Sequence, residues 1–89
     1  GSGVVSRKRI EDAKTFATSE LSAMESNLKL FLDRLGIKGK IRYFNSVERM
    51  ISAFKYGEFD AVAVWEPYYS FLSGYKYEFS EVIGDFPCC

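Results

Sequence analysis

The residues whose types could do chemistry stand at three junctions of the chain: Thr18-Ser19 with Ser22, Asn45-Ser46, and Trp65-Glu66. Small hydroxyl and amide side chains ahead of a helix can cap it or turn toward a ligand. The free N–H groups and the dipole at such a helix start favour a ligand oxygen or carboxylate. Trp65 offers a flat apolar wall with one N–H donor, and Glu66 can accept from a ligand amine or hydroxyl. Each residue also has a plainer reading. Ser22 and either Asn45 or Ser46 serve as caps, Trp65 fills a core, and Glu66 is solvated. Thr18, Ser19, Ser22, Asn45, Trp65 and Glu66 form the candidate ligand-binding set.

Catalysis finds little support. The chain has no histidine to act as a base, no G-x-S-x-G elbow and no phosphate loop. No two carboxylates share one element at a working spacing. The two cysteines, Cys88 and Cys89, are adjacent. That arrangement disfavours a mutual disulfide and, without histidine, a zinc site. A non-enzyme with no cofactor and no metal is expected.

The elements that would carry these residues follow from periodicity. Thr15 to Thr18 is β-compatible, and Ser22-Ala23-Met24-Glu25 has the form of a capping box. Met24, Leu28, Phe31, Leu32 and Leu35 recur on one helical face, and Gly36 follows where a left-handed residue is wanted, so a helix is predicted over 22–35. Lys40 to Phe44 reads as a strand. Val47, Met50, Ile51 and Phe54 define a second helix that Gly57 ends. Ala61-Val62-Ala63-Val64-Trp65 is apolar at every position, as in a parallel strand covered on both faces, and Pro67 stops it. A short helix over Tyr68–Leu72 and an alternating extended tract over Tyr75–Phe79 complete the pattern, with 81–84 ambiguous. The order β-α-β-α-β-(α)-β predicts an α/β three-layer sandwich with a mainly parallel sheet. The site residues then fall at the carboxyl ends of its strands, the usual place for a ligand in an open sheet.

Composition sets the bounds. Eighty-nine residues suffice for one small domain, and 47% hydrophobic with 17% aromatic residues exclude a disordered chain. Twelve basic and twelve acidic residues cancel. Residues 1–45 hold nine of the basic and five of the acidic ones, which reads more simply as two halves packing together than as opposed surface fields. No basic stripe tracks phosphates, so nucleic acid is not an expected partner. No apolar run reaches the length of a membrane span, and no signal peptide is visible. Residues 1–3 resemble a vector-derived scar, 4–14 read as a connector, and 15–89 as a single truncated lobe. The ring-rich tract of Tyr68, Tyr69, Phe71, Tyr75, Tyr77 and Phe79 and the open edge at 75–79 could support self-association.

The stretch Gly57-Glu58-Phe59-Asp60-Ala61-Val62-Ala63-Val64-Trp65-Glu66-Pro67 resembles a recurrent segment of type II periplasmic substrate-binding proteins of ABC transporters. The likeness is to those grouped with nitrate-, sulfonate-, taurine- and thiamine-precursor-binding proteins. Ile10 to Phe16 is similar to that family's entry into its second lobe, and Ala17-Thr18-Ser19 to its strand-end loop. The resemblance implies one lobe of a two-lobed receptor working outside the cytoplasm. Its expected partners are a small polar solute, the missing first lobe and the transporter permease. Glu20 departs from the family's Gly- and Ser-rich loop and favours a zwitterionic or amine-bearing ligand over an anion. The same fold also implies two alternatives: an enzyme of thiamine-precursor or menaquinone biosynthesis, or the sensor domain of a regulator.

Overall fold

The computed structural model describes residues 2–20 and 23–84. Five strands form one sheet: β1 (Ser2–Ser6), β2 (Thr15–Ser19), β3 (Lys40–Phe44), β4 (Ala61–Trp65) and β5 (Tyr75–Glu78), in the order β3-β2-β4-β1-β5. β2 pairs in parallel with β3 and β4, while β1 lies antiparallel between β4 and β5. Four strands therefore run one way and β1 alone runs against them. The sheet is mainly parallel, as the sequence predicts.

Helices α1 (Ala23–Leu35), α2 (Val47–Lys55), α3 (Tyr68–Phe71) and α4 (Phe79–Val82) cover it. Side-chain alternation along each strand divides the core into two layers. Val4, Phe16, Ala61 and Ala63 meet Met24, Leu28, Phe31 and Leu32 of α1 and Phe79 of α4. On the opposite face Val5, Ala17, Val62 and Val64 meet Met50, Ile51 and Phe54 of α2 and Tyr69 of α3. The uninterrupted apolar run of β4 is thus explained, because Ala61 to Val64 are buried whichever way they point. Ala61 and Ala63 keep the α1 face shallow enough for Phe31, which packs edge-on against Phe79 and Tyr77.

The local signals hold where they rest on caps. Gly36, at φ 66°, closes α1, with N–H bonds from Gly36 to Asp33 and from Ile37 to Leu32. These two bonds satisfy carbonyls of the last turn. Leu35, expected on the buried stripe, is the last residue of α1 and is instead 40% exposed. Ser46 rather than Asn45 caps α2, its Oγ accepting the Arg49 N–H at 3.3 Å. The capping role expected of Ser22 and the cysteine pair at 88–89 lie outside the described residues. The extended tract predicted over 75–79 ends at Glu78, since Phe79 begins α4 and is fully buried.

One boundary changes. The connector expected over 4–14 is a strand in its first residues, and β1 belongs to the lobe. Val4 and Val5 are completely buried, one on each face of the sheet. An apolar pair beside Arg7-Lys8-Arg9 carries no periodicity. Its burial comes from partner strands more than fifty residues away in sequence, and local patterning cannot register them. Arg7 then ties this strand to α2. Its guanidinium donates to the Phe54 carbonyl at 3.1 Å and lies 5.5 Å from the Phe54 ring centre. Gly57, at φ 83°, adopts the left-handed conformation that a side chain would strain, and a Cβ there would also push the Arg7 guanidinium, 2.8 Å away, aside.

Candidate functional site

The strand order sets a switch point in the sheet, the place where open α/β sheets form their crevice. From β2 the chain crosses through α1 to β3 on one side, then returns through α2 to β4 on the other side of β2. The boundary between β2 and β4 is therefore the switch point of the sheet, where an open α/β sheet holds its ligand. Pairing along that boundary is short. It comprises Phe16 with Ala61 and Ala17 with Val62, whereas β2 and β3 pair over all five residues. Toward the carboxyl edge the pairing of β2 with β4 stops, leaving Thr18 and Ser19 on one side and Trp65 and Glu66 on the other.

Thr18 is fully buried and its Oγ1 has no hydrogen-bond partner among the described residues. A buried hydroxyl left unpaired costs about 1–3 kcal/mol, so a fold keeps one rarely and for a reason. Ser19, at 9% exposed, is nearly as enclosed. Trp65 stands open at 40% exposure, with Ser2 of β1 beside it in register. It therefore caps the edge and does not fill the core.

Glu66 is exposed but held. Its carboxylate accepts the Ser70 N–H at 3.0 Å and the Ser70 hydroxyl at 2.7 Å across the first turn of α3. The Ser70 hydroxyl is the main cause that brings the Glu66 carboxyl down to about 2. The charge is thus fixed in position and fully ionised at neutral pH. Asn45 is exposed at the end of β3, an edge strand, one strand farther from the switch point than the other candidates. The register therefore places Thr18, Ser19, Trp65 and Glu66 at the carboxyl edge of the adjacent strands β2 and β4, with Asn45 one strand farther out. Ser22 lies outside the described residues.

Two further residues join this edge: Glu78, which sequence reading did not single out, and Tyr69, which it placed in the ring-rich tract as able to line a cleft or lobe contact. β5 ends at Glu78, which pairs in register with Gly3. Tyr69, buried beneath it, has its phenol pushed up by burial and then by the charges of Glu78, Glu81 and Glu66. The i to i+4 spacing of Glu66 and Ser70 was a legible sign of the first contact. Nothing local announces that β5 brings Glu78 to the same end. Among the described residues, no three His, Cys, Asp or Glu side chains group to hold a metal ion, and no helix is long and apolar enough to cross a membrane.

The opposite, amino edge is knitted together around Asp60. Its carboxylate accepts the N–H groups of Lys14 at 2.9 Å and Thr15 at 3.3 Å, and meets the Lys8 ammonium at 3.4 Å. Its own N–H donates to the Thr15 carbonyl and hydroxyl, and its carbonyl accepts the Arg7 N–H at 2.9 Å. Burial raises its carboxyl, but the bonds from Lys14, Thr15 and Lys8 outweigh that and leave it lowered. The aspartate of the Gly57–Pro67 stretch is a clamp on the ends of β1, β2 and β4.

This architecture has a counterpart among solved structures. The chain superposes on the second substrate binding domain of a "putative amino acid ABC transporter" from Streptococcus pneumoniae Canada MDR_19A with a TM-score of 0.59 and 18% sequence identity. The two share a fold. The match covers 86% of this chain and 43% of the other, so the lobe spans less than half of that structure. No protein-family model matches the sequence, and no curated protein does. The narrower subfamily expected from the Gly57–Pro67 stretch therefore rests on those residues alone.

Proposed function

We propose that this lobe is one wall of a solute-binding cleft in an ABC-transporter substrate-binding protein working outside the cytoplasm. The switch-point crevice carries the reading. There the pairing of β2 with β4 ends over an unpartnered Thr18 hydroxyl, beside an open Trp65 and a fixed Glu66 charge. A ligand oxygen or N–H reaching the crevice would satisfy Thr18, with Ser19 beside it, Trp65 would cover its apolar part, and Glu66 would meet an amine or hydroxyl. Glu20, Glu66 and Glu78 at the same edge oppose a bare anion and suit a zwitterionic or amine-bearing solute. The second wall would come from a partner lobe closing by a hinge, with a permease as the downstream partner. The shared fold supports this reading.

Trp65 is the chain's single tryptophan, so intrinsic fluorescence reports on the crevice directly. The test is a fluorescence and thermal-shift titration of the two-lobed protein containing this chain, with amino acids, other amines, nitrate and sulfonates. An amine-bearing solute is expected to change the emission and raise Tm with concentration. Glu66→Gln should weaken that response about tenfold or more. If no solute class moves either signal, the cleft reading is wrong.

A further inference from the structure

The net charge of zero conceals a separation that the fold imposes. Strand direction sends the connecting loops to two ends of the sheet. Glu20, Glu48, Glu66 and Glu78 fall at the carboxyl edge. Arg7, Lys8, Arg9, Lys14 and Lys38 fall on the loops at the amino edge, and Lys40 opens β3 there. Glu11, Asp12, Glu58 and Asp60 share this edge, Glu58 paired with Arg42 and Asp60 with Lys8, so cations are in excess there. Arg7 and Lys8 are committed to the Phe54 carbonyl and to Asp60. Lys14, Lys38 and Lys40 are exposed and make no side-chain hydrogen bond or ion pair among the described residues. With Thr15 and Gly39 they line a groove of about 550 Å³.

The same end carries uncovered rings. Tyr56, which caps the end of α2, is 84% exposed, and Phe71, the last residue of α3, is 71% exposed. Tyr75 opens β5 at 50%. The Lys55 ammonium lies 5.1 Å from the Phe71 ring centre, and both line a second groove of about 330 Å³. Cations and rings are spread over this end between Lys40 on β3 and Tyr75 on β5, a width of about 19 Å at the ordinary strand spacing.

We propose that the amino edge docks on an anionic phospholipid surface, with the lysines at the phosphates and Tyr56 and Phe71 at headgroup depth. The pattern favours lipid over other anions. A folded acidic protein needs a continuous apolar centre to exclude water, and here cations split the rings into separate patches. A nucleic acid needs a stripe that follows its backbone, and these cations stand on loops at two sides of a sheet end. A fluid layer of anionic headgroups accommodates scattered charges. The proposal rests on the solute-receptor reading, which puts the lobe beside a membrane-embedded transporter. Docking at this end leaves the cleft edge, at the other end of the strands, open to solute.

The experiment is co-sedimentation of the full chain with phosphatidylcholine vesicles, with and without phosphatidylglycerol, over a range of salt. Partition onto the anionic vesicles is expected, weakening as salt rises. The combined variant Lys14→Glu, Lys38→Glu, Lys40→Glu should lower it at least about tenfold, and Tyr56→Ser with Phe71→Ser several-fold. Circular dichroism checks folding, and the milder Lys→Gln set replaces the charge reversals if these unfold. No partition at low salt overturns the proposal, as does equal partition of all variants. Equal capture by soluble polyphosphate, unaffected by the ring variant, also overturns it by exposing a general anion patch. The assay contains no solute, so its failure leaves the cleft reading untouched, and a silent solute titration leaves the vesicle result standing.

Discussion

The two ends of one sheet are built from the same strands and finished in opposite ways. At the amino edge Asp60 spends its carboxylate, its N–H and its carbonyl on β1, β2 and the loop between them. At the carboxyl edge, β2 and β4 lose their pairing, Thr18 keeps a buried hydroxyl unpaired, and Trp65 stands open. Polar groups that satisfy one another hold a fold together, and polar groups left unsatisfied at a crevice wait for something else. The contrast is informative because strand composition cannot cause it. β4 is uniformly apolar from end to end, and only what adjoins its two ends differs.

The sharpest way to break the comparison is at the clamp. Asp60→Ala removes the acceptor for two backbone N–H groups and for Lys8, leaving those donors at a partly buried strand end. Bonds to a charged group are worth about 1.5–3 kcal/mol each, and their losses overlap, so a destabilisation of about 3 kcal/mol is expected in urea unfolding. The solute response of the molecules that remain folded should not change. If Asp60→Ala leaves stability intact and abolishes solute response, the functional assignment of the two ends must be exchanged.

Thr18→Val acts with the opposite sign. The substitution keeps the shape and removes an unpartnered hydroxyl, so the lobe should gain about 1 kcal/mol in the same unfolding experiment. In the two-lobed protein it should also lower solute affinity about tenfold. A gain in stability paired with a loss of binding is what a site residue shows and a packing residue does not. Destabilisation by Thr18→Val would mean that the hydroxyl is engaged within the lobe, and the crevice would lose its best support.

How far the residues themselves announced this contrast depends on the range of the interaction. β4 was legible because burial on both faces leaves a continuous apolar run, and α1 because Met24, Leu28, Phe31 and Leu32 share one side of a helix. The convergence of Thr18, Ser19, Trp65 and Glu66 followed from strand ends that point the same way. β1 was not legible, since Val4-Val5 becomes core only when β4 and β5 close around it. Nor was the sorting of charge. The sequence divides basic from acidic by half, but the sheet interleaves the halves, and the fold separates charge by edge through strand direction. The burial of Thr18 and the arrival of Glu78 likewise depend on register, which no local pattern contains.

The smallest expected effect concerns Glu66, a carboxylate at the cleft edge held by Ser70. Its carboxyl is lowered to about 2, the bond from the Ser70 hydroxyl being the largest cause. A folded-state value below the ordinary carboxylate range means that the contact contributes to stability at neutral pH. That contribution persists down to the ordinary carboxylate range and is lost as pH falls from there through about 2. Ser70→Ala should therefore move the Glu66 titration upward, read from its side-chain carboxyl carbon by NMR. Unfolding at pH 7 should change little, because the pair is exposed and solvent screens it. The titration of Asp60 should stay where it is, since its donors are Lys14, Thr15 and Lys8 at the other end of the strand. If both carboxylates shift together, the two ends are coupled through β4, and the division between a clamp and an independent ligand edge is lost. If Glu66 alone moves, its charge can be tuned without touching the clamp, and solute affinity in Ser70→Ala then measures what fixing that charge contributes to recognition.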